Sequence, residues 1–217
     1  MNKIMMLKAE KPVCVIVFAA GRGGNPEAHR PLLQSLVDCG CTVVAPYFEI
    51  MSPLPSAEDL IARAEALRNS LKLVDDSNLS VVGVGHSIGA SLLVALAGGQ
   101  MWTKSGVEVV IPREERLHKL ALFAPPTGFF QAPGALEKVN TPIQLWVGGL
   151  DTITPPSQVE FLKNSLSNRV SIDFNLVEGA SHFSFMNRLP PTVVDQMPNR
   201  QEFLNSLASA VCAFTAK

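Results

Sequence analysis

Val81-Val82-Gly83-Val84-Gly85-His86-Ser87-Ile88-Gly89-Ala90-Ser91-Leu92-Leu93-Val94-Ala95-Leu96-Ala97 passes from a short β-branched run into an apolar stretch, with only Gly85-His86-Ser87-Ile88-Gly89 between them. The pentapeptide reads G-x-S-x-G. Between a strand and a helix, this pattern forces the serine into a sharp, strained turn that lifts its hydroxyl above the sheet. Gly85 and Gly89 leave room for the strand and helix to close on each other. The helix that follows points unpaired N–H groups and the positive end of its dipole at the same spot, which suits a developing oxyanion. Ile88 would supply one such N–H. Glycine at a strand-to-helix turn also serves packing alone, so the reading depends on whether partners for Ser87 occur elsewhere in the chain.

Working outward, apolar runs of strand length alternate with helical periodicities. Val13 to Phe18 is a continuous run of the kind seen in strands buried on both faces, and it stops at Ala19-Ala20-Gly21-Arg22-Gly23-Gly24-Asn25. Pro31 opens a helix with Leu32, Leu33, Leu36 and Val37 on one face, and Gly40 ends it. Thr42 to Pro46 reads as a strand. Ser56 and Asp59 form a capping pair before the helical spacing of Leu60, Ile61, Ala64, Leu67, Leu71 and Val74. Beyond the central helix, Gln100 to His118 shows no clear period. Strands are expected at Leu120–Phe123, Ile143–Gly148 and Val170–Val177, and helices near Gln158–Leu166 and Arg200–Phe214. The loop Pro125 to Gly134 carries Phe129 and Phe130 and is expected to line a site. The alternation implies one three-layer, doubly wound α/β domain over residues 1–217, with a mostly parallel sheet of about six strands. No segment is long enough for a helical lid.

Composition narrows the function classes. The chain has 217 residues, 47% of them hydrophobic and 17% charged, with a formal net charge of −1. No basic run offers a footprint for nucleic acid or an anionic membrane surface, and neither partner is expected. Met1 to Lys11 reads as mature protein rather than as a leader, because its apolar patch is too short. Cys14, Cys39, Cys41 and Cys212 lack metal-ligand spacing and are expected as free thiols in a reducing cytoplasm. Neither a metal nor a cofactor is expected. Oligomeric state is not legible.

Ser87, Asp151 and His182 each stand just past the end of an expected strand, so a parallel sheet would bring all three to one edge. Serine needs a base to take its proton, imidazole titrates in the suitable range, and a carboxylate fixes the imidazole tautomer. The roles are nucleophile, base and orienter. Asp173 falls within a strand, and Asp75 and Asp76 fall on the far edge. His29 stands near a helix start and His118 before a strand, whereas His86 is expected beside the substrate pocket.

With these residues in place, the chain resembles the α/β-hydrolase fold over most of its length. The likeness rests on Gly21-Arg22-Gly23-Gly24, Gly85-His86-Ser87-Ile88-Gly89, Gly148-Gly149-Leu150-Asp151 and Gly179-Ala180-Ser181-His182-Phe183. Within that fold it is similar to the small dienelactone-hydrolase-like serine hydrolases. The resemblance implies an oxyanion hole from the backbone N–H of Ile88 and of Arg22. It implies cleavage of a small carboxylic ester, thioester or lactone. Ala20-Gly21 stands where family members often have His-Gly, and Ser87 where dienelactone hydrolases carry cysteine. A noncatalytic hydrolase-like binding protein is one alternative. A dinucleotide-binding domain is another, but Pro26 stands where its third glycine is needed and the second strand ends at Ala45-Pro46 with no acidic residue.

Overall fold

The computed structural model describes residues 3–74 and 79–216. Asp75 and Asp76 lie outside them. In chain order the elements are β1 (Ile4–Leu7), β2 (Cys14–Ala19), α1 (Arg30–Asp38), β3 (Cys41–Pro46), α2 (Ala57–Leu71), β4 (Ser80–His86) and α3 (Ile88–Leu96). There follow β5 (Met101–Trp102), β6 (Glu108–Val109), β7 (Leu117–Phe123), β8 (Ile143–Gly148), α4 (Pro156–Leu166), β9 (Ile172–Val177) and α5 (Arg200–Ala216).

The main sheet has seven strands in the order β1-β3-β2-β4-β7-β8-β9. Only β1 runs antiparallel, pairing Ile4 with Pro46 and Leu7 with Val43. It is the strand that the expected count of about six omits, because an isolated four-residue patch has no period to read. The stretch Gln100 to His118 is not wholly irregular either: it holds the β5–β6 hairpin and the first residues of β7.

Every residue of β2, β3 and β8 is buried, as continuous apolar runs covered on both faces require. One face packs against α2, α3 and α4 through Leu60, Leu67, Leu92, Leu93, Val159 and Leu162. The other packs against α1 and α5 through Leu33, Leu36, Leu207 and Val211. The Ser56 hydroxyl accepts from the Asp59 N–H while the Asp59 carboxylate accepts from the Ser56 N–H, completing the expected cap of α2.

The cysteines correct the sequence reading. All four are paired, Cys14 with Cys41 and Cys39 with Cys212. Cys14 and Cys41 are register partners on adjacent parallel strands with Cα atoms 4.9 Å apart, and α5 brings Cys212 to the end of α1 with a Cα separation of 6.1 Å. These separations fall within disulfide range. Paired cysteines give no support to the expected reducing compartment. Among the described residues, no helix is long and apolar enough to cross a membrane.

Candidate active site

Ser87 occupies the turn between β4 and α3 with φ 55° and ψ −131°. A non-glycine residue held there costs on the order of 1–3 kcal/mol, which the surrounding structure must impose. Register imposes it: β4 lies between β2 and β7, and the Ser87 N–H bonds to the Phe123 carbonyl at 2.8 Å. Gly89 is required by closeness rather than conformation, since a Cβ there would collide with the Ala19 carbonyl. The elbow is thereby clamped between the ends of β2 and β7.

Asp151 and His182 arrive from β8 and β9. Asp151 is buried, and its carboxylate accepts through Oδ1 from the N–H groups of Ile153 (2.8 Å) and Thr154 (2.7 Å). Its Oδ2 accepts from the Thr154 hydroxyl at 2.7 Å and lies 2.8 Å from His182 Nδ1. Burial alone would raise the Asp151 pKa. The His182 hydrogen bond and charge, with the Thr154 N–H and hydroxyl, outweigh it and hold the carboxyl below its usual value. With Nδ1 protonated toward Asp151, His182 Nε2 is left to accept from Ser87 Oγ at 2.9 Å. The relay Asp151–His182–Ser87 is therefore continuous, and Ser87 is half-buried, open to a reactant.

Thr154 is a member that sequence reasoning missed. Its hydroxyl lies 3.0 Å from His182 Nδ1 and 3.2 Å from the Ala124 carbonyl, joining the ends of β7, β8 and β9. The available signal was its place three residues after Asp151, where a hydroxyl and an N–H can both reach back to the carboxylate.

No protein-family model and no curated protein matches this sequence. Solved structures do. An alpha-beta serine hydrolase homologue from Coxiella burnetii superposes with a TM-score of 0.67 at 19% identity, covering 96% of this chain and 90% of that one. The propionate-bound esterase Est2 of Thermogutta terrifontis gives 0.67 at 15% identity, with 98% and 88% covered. A monoacylglycerol lipase from Paleococcus ferrophilus gives 0.62 at 14% identity, with 97% and 99% covered. The chain has the α/β-hydrolase fold.

In this hydrolase fold the N–H of Ile88 opens α3 beside Ser87, where the first helical turn leaves donors unpaired. The Gly21–Gly24 turn approaches from β2, close enough that a Cβ on Gly21 would lie 3.3 Å from that of Ser87. Arg22 lies in this turn with its side chain exposed.

Of the expected pocket residues, Phe130 sits elsewhere. Phe130 is 1% exposed, and its ring packs where a Cβ on Gly99 would lie, beyond the far end of α3. A nine-residue helix is about 13 Å long, so Phe130 is core rather than pocket. Phe129 is half-buried against the same core. His86 is also buried; its ring lies between those of His29 and His182, with centroids 5.3 and 4.9 Å away. With Nε2 protonated, it donates to the His182 carbonyl at 2.9 Å. Burial first, then the neighbouring His182 and His29, pushes the His86 pKa well down, so it stays neutral. His86 thus supports the loop that carries His182.

Two cavities of about 430 Å³ are formed away from Ser87, one between the β5–β6 hairpin and residues 133–138, the other between residues 48–51 and α2. Among the described residues no three His, Cys, Asp or Glu side chains converge as metal ligands would.

Proposed function

We propose that this protein is a serine hydrolase that cleaves a carboxylic ester, or a related thioester or lactone, of a small substrate through an acyl-enzyme. The observation that carries the reading is the unbroken relay from the Asp151 carboxylate through His182 to Ser87 Oγ, with contacts of 2.8 and 2.9 Å. The likeness to solved hydrolases and the sequence resemblance to the dienelactone-hydrolase-like proteins support it.

Ser87 Oγ attacks the substrate carbonyl carbon as its proton passes to His182 Nε2. The carbonyl oxygen becomes an oxyanion held by the N–H groups of Ile88 and Arg22. Asp151 stabilises the imidazolium. Collapse breaks the bond to the leaving oxygen or sulfur, which takes the proton from His182. A water molecule, deprotonated by the same imidazole, then releases the acid and restores Ser87. This chemistry needs neither cofactor nor metal.

Ser87 is only half-buried, and the loop between β7 and β8 contains a three-residue 3-10 turn in place of a lid helix. Each acyl methylene contributes about 0.8 kcal/mol only when fully buried, so chains beyond a few carbons gain little here. The expected result is labelling of Ser87 by a fluorophosphonate and highest kcat/KM on p-nitrophenyl esters of two to four carbons. Loss of at least about a thousandfold in kcat is expected for Ser87→Ala. Undiminished turnover in Ser87→Ala would refute the reading, and an optimum at twelve or more carbons would refute the small-substrate assignment.

A further inference from the structure

Arg63 lies on the buried stripe of α2, between Leu60, Ala64 and Leu67, and is 5% exposed. No carboxylate lies within 4.0 Å of its nitrogens among the described ion pairs. Its guanidinium instead donates to three main-chain carbonyls: Nη1 to Gly21 at 2.9 Å, Nη2 to Arg22 at 3.0 Å, and Nη2 to Glu49. The Phe48 ring faces the guanidinium, 4.7 Å from centroid to Cζ. Burial, partly countered by the charge of Asp59, lowers the Arg63 pKa to about 10, so the group is a cation at neutral pH.

A buried cation with no carboxylate in direct contact is expensive, even with the Asp59 carboxylate one turn earlier on α2 favouring its charge, and a fold that only needed to fill this position could use an apolar side chain. The identity of the acceptors gives the charge a use. The Gly21 carbonyl and the Arg22 N–H belong to one planar trans peptide and point in opposite directions. Holding that carbonyl on the α2 side turns the Arg22 N–H away from Arg63, and Gly21, at the head of the same plane, comes close enough to Ser87 that a Cβ on it would lie 3.3 Å from the Ser87 Cβ. The cation also polarises this peptide in the direction that strengthens its N–H as a donor to an anion. The rest of the turn is fixed by the adjoining loop: Gly24 donates to Gly21, Met51 to Arg22 and Phe48 to Gly24. Gly24 itself has φ +69° and no space for a Cβ against the Phe48 carbonyl.

We infer that Arg63 is a positioning residue for the oxyanion-binding turn: by gripping the Gly21 and Arg22 carbonyls it aims the Arg22 N–H at the oxyanion formed on the Ser87 adduct. This rests on the serine-hydrolase reading above.

The test compares wild type, Arg63→Lys and Arg63→Gln on p-nitrophenyl acetate, with active protein counted by complete fluorophosphonate titration. A trifluoromethyl ketone, which forms an oxyanion adduct with an active serine, is the second probe. Because removing an oxyanion-hole donor outright costs about 100- to 1000-fold in kcat, misaiming one should lower kcat per titrated site about tenfold or more in Arg63→Gln. Arg63→Lys, which keeps a cation but reaches fewer carbonyls, should lose less. KM should stay within about twofold, and trifluoromethyl ketone affinity should weaken in parallel with kcat/KM. A merely structural staple would lower Tm while leaving kcat per titrated site and ketone affinity within about twofold of wild type, and that result overturns the inference. If Arg63→Gln does not fold, the same criteria apply to Arg63→Lys alone. Activity retained in Ser87→Ala overturns the underlying reading and this inference together; activity lost there but unchanged in the Arg63 variants overturns only the positioning role.

Discussion

On the β8 side of Ser87 a buried anion gathers donors, whereas on the β2 side a buried cation gathers acceptors. Asp151 receives two N–H groups, the Thr154 hydroxyl and the His182 imidazole; Arg63 gives to the carbonyls of Gly21, Arg22 and Glu49. The two flanks match the charges of the proposed tetrahedral intermediate, an imidazolium on one side and an oxyanion on the other. Fixed dipoles and charges of this kind need no reorganisation when the reaction charge appears. They differ in what transmits the charge. The anion acts through a side chain that changes protonation, the cation through a peptide that does not. Substitutions on the β8 side should therefore disturb proton transfer, and those on the β2 side oxyanion binding alone.

Asp151→Asn tests the anionic flank most severely. It keeps the shape but favours the wrong imidazole tautomer, and kcat should fall about ten-thousandfold with KM little changed. Stopped-flow and steady-state assays on p-nitrophenyl acetate would measure it, and a loss below about tenfold would break the contrast between the flanks.

A second probe addresses the wall behind both flanks, where His29 is 1% exposed with Nδ1 unpartnered. Burial, partly countered by a hydrogen bond to the Phe185 backbone, lowers its pKa from 6.5 to about 4. Between those values the unfolded chain binds the proton that the folded chain refuses, so stability falls as the pH drops from 6.5 toward 4. The shift corresponds to about 3 kcal/mol at the acid end. Urea unfolding from pH 7 to 4 should show that decline in wild type and a shallower one in His29→Gln.

The smallest expected effect is that of Thr154→Val. Asp151 keeps both N–H donors and loses one hydroxyl, so kcat should fall about tenfold, the equivalent of about 1.4 kcal/mol, and Thr154→Ser should restore it. A kcat unchanged in Thr154→Val would remove Thr154 from the relay's support.

The fold was legible where a physical requirement leaves a repeating trace. Continuous burial on both faces produced the apolar runs of β2, β3 and β8, and the cap of α2 stood in Ser56 and Asp59. The elbow was legible because close approach at Gly89 tolerates no side chain. Residues that act singly left little to read. Arg63 shows only as a charge within an apolar stripe, and Thr154 as one hydroxyl in a turn. Phe130 looked available because its loop is rich in proline and glycine, yet a space left by Gly99 takes its ring into the core. The cystines depend on the register of β2 with β3 and on where α5 docks, and neither is a local property of sequence.

Those two cystines divide the backbone into covalent loops. One closes residues 14–41 and contains the Gly21–Gly24 turn; the other closes residues 39–212 and contains Ser87, Asp151 and His182. The loops meet across Cys39-Gly40-Cys41. By the chain-entropy relation, closing them raises the free energy of the unfolded chain by about 3–4 and about 5 kcal/mol respectively. Cutting the chain once anywhere between the rings' anchor points, for instance in the exposed Lys104–Gly106 bend, leaves both fragments attached. The three residues of the relay are thus tied into one ring and the Gly21–Gly24 turn into another, and Arg63, a member of the large ring, reaches across to hold the small one.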